Sequence, residues 1–250
     1  MVSSMVVRLL SRTVIDADPG PLSNACATTP SVSRTRRLIL LVHTFAGILA
    51  MAELAMAQEP VRPVDPSSTT SEHRTASPFG KFLLGAAAGL GAHEAGHLLF
   101  DGIFDANPRI KKVSFHGIPF FAIAHDSGLS PRREYAIDAA GFWVQEGTNE
   151  LLLSRRPHLH RERAPFAKGV FAFNVGASLA YAGAAFARTG PFERDTRGMA
   201  DALRWKEPYV GVLILIPAVL DLVRFYHPDQ RWAAWGSRVA KIGGVALIAK

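Results

Sequence analysis

FLLGAAAGLGAHEAGHLLFDGIF, residues Phe82 to Phe104, is the stretch from which the rest of the chain is read. At about 1.5 Å per residue a helix of this length can cross a hydrocarbon core of about 30 Å. Within it lies His93-Glu94-Ala95-Gly96-His97. Side chains four residues apart on a helix sit about 40° apart around its axis, so both imidazoles can reach one ion from the same face. Glu94 then stands beside the ion, not on it, where a carboxylate can take a proton from an activated water. Ionisable side chains are costly inside an apolar span, which makes a functional reading of this pattern the default.

The 250 residues carry a formal net charge of +7. Their lysines and arginines cluster between apolar segments, at Arg109, Lys111 and Lys112 and at Arg155, Arg156, Arg161 and Arg163, as in loops facing lipid headgroups. No basic patch is interleaved with aromatics in the way base stacking requires, so nucleic acid is not an expected partner. Arg34-Thr35-Arg36-Arg37, the apolar run Leu38 to Ala52 and the small-residue site Ala55-Met56-Ala57 together have the pattern of a secretory signal at 34–57, read as a cleaved peptide or a retained anchor. Residues 1–33 are read as a non-structural leader, and 58–77, rich in Pro, Ser and Thr, as a flexible linker outside the cytoplasm. The lone cysteine, Cys26, falls in the leader, so disulfides and thiolate ligands are not expected in the remainder and a metal must be held by His and carboxylate.

The expected fold is an all-α membrane protein with about four transmembrane helices in a domain spanning 78–228. A short β hairpin, Arg109 to His125, broken at Gly117-Ile118-Pro119, follows the first helix. His116 and His125 are read as solvated or hydrogen-bonded loop residues. Ser130-Pro131 opens a second helix running to about Ser154, whose polar residues, Gln145 and Asn149 among them, must face other helices or a cavity. Pro165 to Ala187 forms the third span, with Asn174 and Ser178 on one face. Pro208 to Tyr226 forms the fourth, with a kink at Pro217 and Asp221 paired to Arg224. Residues 229–250, carrying Trp232 and Trp235, lie at the interface or form a short final span.

Beyond the histidine motif, the chain resembles the site-2 protease family of intramembrane zinc metalloproteases over about Phe82 to Leu203. In that family a basic turn and a β segment follow the motif helix, and the next helix carries Ala-Gly-Pro with a polar residue three positions on. Here Ala140-Gly141-Phe142-Trp143-Val144-Gln145 occupies that place, with Phe142 instead of proline and Gln145 as the polar residue. The family's third ligand is an aspartate opening a later helix; Pro191-Phe192-Glu193-Arg194-Asp195-Thr196 is the nearest match and lacks the usual leucine and glycine. The resemblance implies zinc on His93, His97 and Asp195, with Asp201 and then Glu146 as the next candidates for the third position. It implies Glu94 as general base and a transmembrane protein as substrate, its unwound strand held by Gln145 or Asn149. It also implies an integral multi-pass protein of a bacterial inner (plasma) membrane. A metzincin would need Gly and His where Phe100 and Ile103 stand, whereas a gluzincin-like third ligand would be Glu146 or Glu150. The competing reading is a multi-pass membrane interaction protein that keeps the fold without activity; a zinc hydrolase acting on a non-peptide substrate ranks third.

With Gln58 outside, the motif helix runs inward and the next two run outward and inward, which brings His97 and Asp195 to the same side. Reporter fusions at Gly128, Leu159 and Gly198 are expected to read inside, outside, inside; any other order removes the shared site.

Overall fold

A computed structural model describes residues 77–115 and 118–249, with the side chains of residues 115 and 118–121 left aside. The leader, the export signal, His116 and all of the linker before Ser77 lie outside the described residues. The described chain is helical apart from one two-stranded antiparallel sheet.

Helix α1 is Pro78–Phe104. It begins where Ser77 Oγ accepts the Gly80 N–H at 3.0 Å and Pro78 fixes the first turn. It ends at Asp105, which turns left-handed at φ 57° and donates its N–H to the Asp101 carbonyl. The hairpin follows: β1 Arg109–Phe115 pairs with β2 Ile118–Ala124, with Arg109 opposite Ala124 and Phe115 opposite Ile118. Helix α2 is Pro131–Arg155, reached through Ser130 in extended conformation but without a side-chain cap bond. Then come α3 (Pro165–Ala187), the short α4 (Asp195–Leu203), α5 (Glu207–Tyr226) and α6 (Arg231–Ala246). Helix α5 continues through Pro217, which has no N–H to give the preceding turn.

Helix α1 packs most extensively on α3, and the reason is local. A side chain at Gly85 would collide with the Phe166 carbonyl, and one at Gly169 with the Phe82 carbonyl, so the backbones touch through two reciprocal glycines. Helix α2 lies on the other flank of α1, α5 covers α3, α6 covers α5, and α4 sits on α2. One apolar cluster joins Leu152, Leu159, Phe166, Val170 and Phe171, and a second joins Tyr135, Phe142, Met199, Leu203, Val210 and Ile214.

Beside these apolar clusters, several large apolar side chains are exposed and several polar ones are buried. Leu83, Leu84, Leu90 and Leu98 on α1, Val212, Ile216 and Val219 on α5, and Trp232, Trp235, Val239 and Ile242 on α6 are exposed, while His93, His97, Gln145, Asn149, Asn174, Asp221, Arg224 and Lys241 are buried. Helices α3 and α5 are long and apolar enough to cross a membrane. The expectation of four such helices is corrected to two on this measure. Helix α1 is diluted by its histidines, Glu94 and Asp101 among many glycines and alanines, and α2 by its charges at Arg132, Arg133, Glu134, Asp138, Glu146, Glu150 and Arg155.

Buried charges lock α2, α5 and α6 together. Arg224 donates to Glu150 and, at 3.2 Å, to Asp221, the expected pair, while Lys241 reaches Asp221 at 2.9 Å and Ser237 Oγ donates to it at 2.6 Å. Removing one partner of such a group strands the other charge away from water, at a cost of about 3–5 kcal/mol. Lys241→Met is expected to destabilise the fold by about that amount, and Asp221→Leu added to Lys241→Met to restore part of the loss. Unfolding in detergent followed by circular dichroism measures both; equal stability of Lys241→Met and the unaltered chain would remove the lock.

Candidate metal centre

Three side chains from two distant parts of the sequence converge at the middle of the bundle. His93 and His97 project from the buried face of α1, and Asp195 stands at the first position of α4, after Arg194 in extended conformation. Nε2 of His93 lies 3.2 Å from Nε2 of His97 and 3.2 Å from Oδ2 of Asp195, and Nε2 of His97 lies 3.5 Å from the same oxygen. The two histidines are buried and the Asp195 side chain is 16% exposed.

Proton bookkeeping shows what this triangle needs. His97 Nδ1 donates to the Ile137 carbonyl at 2.8 Å, which leaves Nε2 as a bare lone pair. A neighbouring lone pair and a carboxylate oxygen complete the group, and a single proton cannot serve all three edges. Burial alone would push the Asp195 carboxyl up, but the facing His97 and His93 imidazoles hold it well below the usual carboxylate range, so it stands as an anion. Separations of 3.2–3.5 Å are those of neighbouring ligands around one small cation about 2.0–2.2 Å from each. His93, His97 and Asp195 could therefore hold a metal ion, and they form the one such group among the described residues.

The walls of the site explain its sequence neighbourhood. Gly141 lies directly beneath the His93 ring, where any Cβ would overlap the imidazole. Phe142 meets the same ring edge-on at 5.5 Å between centroids, and Tyr181 of α3 stacks on it at 6.0 Å with 27° between planes. Phe142 and Tyr181 thus limit how the His93 ring can turn. Gly96 faces the Ala140 carbonyl at a spacing that leaves no room for a methyl group, which brings α2 close enough for Ile137 to reach His97.

Other candidates separate cleanly. Asp201 points outward, with 77% of its side chain exposed, toward Arg197 at 3.9 Å. Neither Asp201 nor Glu146 belongs to the converging group. Asn149 Oδ1 accepts from Asn174 Nδ2 at 2.9 Å, a bond between α2 and α3. Gln145 is 2% exposed, and neither atom of its amide has a hydrogen-bond partner. His125 is a bonded loop residue, its Nε2 2.6 Å from Glu134. Glu94, next to His93 but about 100° round the helix, is half-buried and opens on the other side into a groove between α1 and the hairpin. Tyr181 and the Ile137 carbonyl were not singled out by the sequence. Tyr181 continues the Asn174 and Ser178 face by three more residues, which is the signal that would have found it.

Comparison with family models, with curated proteins and with solved structures gives no match to this chain.

Two outcomes test the centre. Asp195→Ala is expected to abolish metal binding in the purified protein, whereas Asp201→Ala and Glu146→Ala keep one ion per chain by elemental analysis. Gly141→Ala, which leaves every ligand in place but displaces the His93 ring, is expected to weaken metal binding by about 10-fold or more at unchanged helix content. Full affinity in that variant would show that the ring does not depend on this glycine.

Proposed function

We propose that the chain is a membrane-embedded zinc metalloprotease, a divergent relative of the site-2 proteases, acting on a transmembrane protein substrate. The observation that carries the reading is the convergence of His93, His97 and Asp195 with Glu94 beside them on the groove side. A purely structural zinc site is closed by four protein ligands and has no use for a general base; here three ligands are accompanied by an uncoordinated carboxylate. The donor set of two imidazoles and a carboxylate suits zinc. Zinc, when bound, supplies Lewis acidity, bringing the pKa of a water to about 7 and polarising a peptide carbonyl.

The chain's own groups do the rest. Glu94 accepts the proton of the attacking water and returns it to the leaving amine nitrogen, which breaks the C–N bond and leaves a carboxylate and an amine. Ile137, through its carbonyl, holds His97 in the tautomer that presents Nε2, and Gly141, Phe142 and Tyr181 keep the His93 ring from turning. A transmembrane substrate reaches such a centre only after local unwinding, because its carbonyls are otherwise tied up in helical bonds. Gln145 is the group available to an unwound strand, its amide having no partner within the bundle; Asn149 shares that role in the proposal, though it also joins α2 to α3.

The outward-facing apolar residues of α1, α5 and α6 support a setting in a lipid bilayer, with α3 and α5 as its spans. The setting that fits the sequence is the inner membrane of a bacterium.

The decisive variant is Glu94→Gln. It is expected to retain one zinc per chain and to lose cleavage of a co-expressed membrane substrate, since an amide cannot take up the proton at neutral pH. His93→Ala is expected to lose both. Undiminished cleavage by Glu94→Gln removes the general base from the mechanism and the protease reading with it.

A further inference from the structure

The face of α1 next to the histidines is itself unusual. Ala87, Gly91 and Glu94 follow one another along it, with Leu90 and Leu98 to either side, and the hairpin stands over them without closing on them. Between the two lies a groove of about 390 Å³, its far wall formed by Ile110 and Ile123. Its floor is open at Gly91, where an added Cβ would meet no atom within 4 Å. Glu94 lines the same groove, and it neighbours His93 in the chain, so one side chain connects the groove with the centre described above. A cavity of this size takes one or two large side chains and is too small for a folded helix.

Charge narrows the choice of occupant. Arg109 stands at the rim, held there by Asp126 Oδ1 at 3.2 Å and by the His125 carbonyl at 3.2 Å. Glu94 attracts a cation and Arg109, already paired with Asp126, attracts an anion, but either would give up its water against walls that are otherwise apolar, and an anion would also be repelled by Glu94. A large uncharged apolar side chain meets neither penalty. Lys111 Nζ, bonded to Glu193 Oε1 at 2.6 Å, ties the hairpin to the segment that carries Asp195, which sets the groove's far wall relative to the metal ligands.

We propose that this groove is the specificity pocket of the enzyme, accepting one large apolar side chain of the substrate next to the scissile bond, and that Gly91 sets its depth. The proposal rests on the protease reading and adds to it a substrate preference and a residue that determines it. Discrimination in an apolar pocket of this kind runs at about 10–200-fold per methylene gained or lost.

The test uses the full-length, zinc-loaded protein in detergent and a set of apolar model peptides. The cleaved bond is located by mass spectrometry, and the residues flanking it are then varied in turn through Gly, Ala, Leu, Phe and Lys. At one flanking position kcat/KM is expected to be about 10-fold or more higher for Leu and Phe than for Ala, and lowest for Lys. Gly91→Leu fills the floor and is expected to remove the advantage of Leu and Phe over Ala at unchanged zinc content. Gly102→Leu, on the same helix and equally free of neighbours but outside the groove, is expected to change neither. Ile110→Ala on the facing, exposed wall gives a second reading from an independent position, with a smaller ratio of Leu to Ala expected. Cleavage that depends on Glu94 but shows the same side-chain preference in Gly91→Leu and Ile110→Ala overturns the pocket and leaves the protease reading standing. Absence of cleavage above the Glu94→Gln background for every peptide overturns both.

Discussion

Two imidazole nitrogens and one carboxylate oxygen, all lone-pair donors, are held within 3.2–3.5 Å of one another in the interior of a helical bundle. Such a group is repulsive unless a proton or a metal cation joins it, and repulsion between buried groups is weakly screened. The surrounding packing must therefore hold the group together, and much of the fold can be understood as doing so. Reciprocal glycines bring α1 and α3 to backbone contact, Gly96 admits α2, and Gly141 leaves room for one ring only. The helix that ends this arrangement, α4, begins at the third ligand, where its unpaired N–H groups and positive end favour a carboxylate.

The same logic governs the rest of the polar interior. Asn174 bonds Asn149 and the Gln145 carbonyl across α2 and α3, and the charges of Glu150, Asp221, Arg224 and Lys241 neutralise one another across α2, α5 and α6. Between these helices cohesion comes in part from close packing at small residues and in part from buried hydrogen bonds and ion pairs. That accounts for the number of small residues in α1 and α3: they are contact surface.

What the sequence disclosed, and what it withheld, follows from the range of each interaction. His93, Glu94 and His97 were legible because four residues on one helix form a local pattern with a fixed angle. Helix ends at Pro78, Pro131 and Pro165 were legible for the same reason, and so was the hairpin, signalled by β-branched residues either side of a Gly-Ile-Pro break. Asp195 was found through a degenerate motif, by its place at a helix start, and the structure brings it to the histidines. Four spans were expected where two helices, α3 and α5, are long and apolar enough to cross a membrane, because charged and polar residues dilute α1 and α2. Gln145 and Asn149 read alike from sequence yet differ in the fold, one amide bonded and the other not, because the deciding partner is Asn174 on another helix. Tyr181 and the Ile137 carbonyl act on ligands remote in sequence, and no single-helix pattern encodes that.

The separation of the ligands along the chain has a consequence for biogenesis. His93 and Asp195 are 102 residues apart, and ribosomes add about 5–20 residues per second. For several seconds the two histidines exist without their third partner, and a two-histidine site holds an ion only weakly compared with the completed one. Tight retention of a metal ion would therefore begin only once α2, α3 and the start of α4 have been made and docked. Occupancy of such a centre would report that the three helices have docked in the right order, so any property that depends on the ion would arrive no earlier than the finished shape.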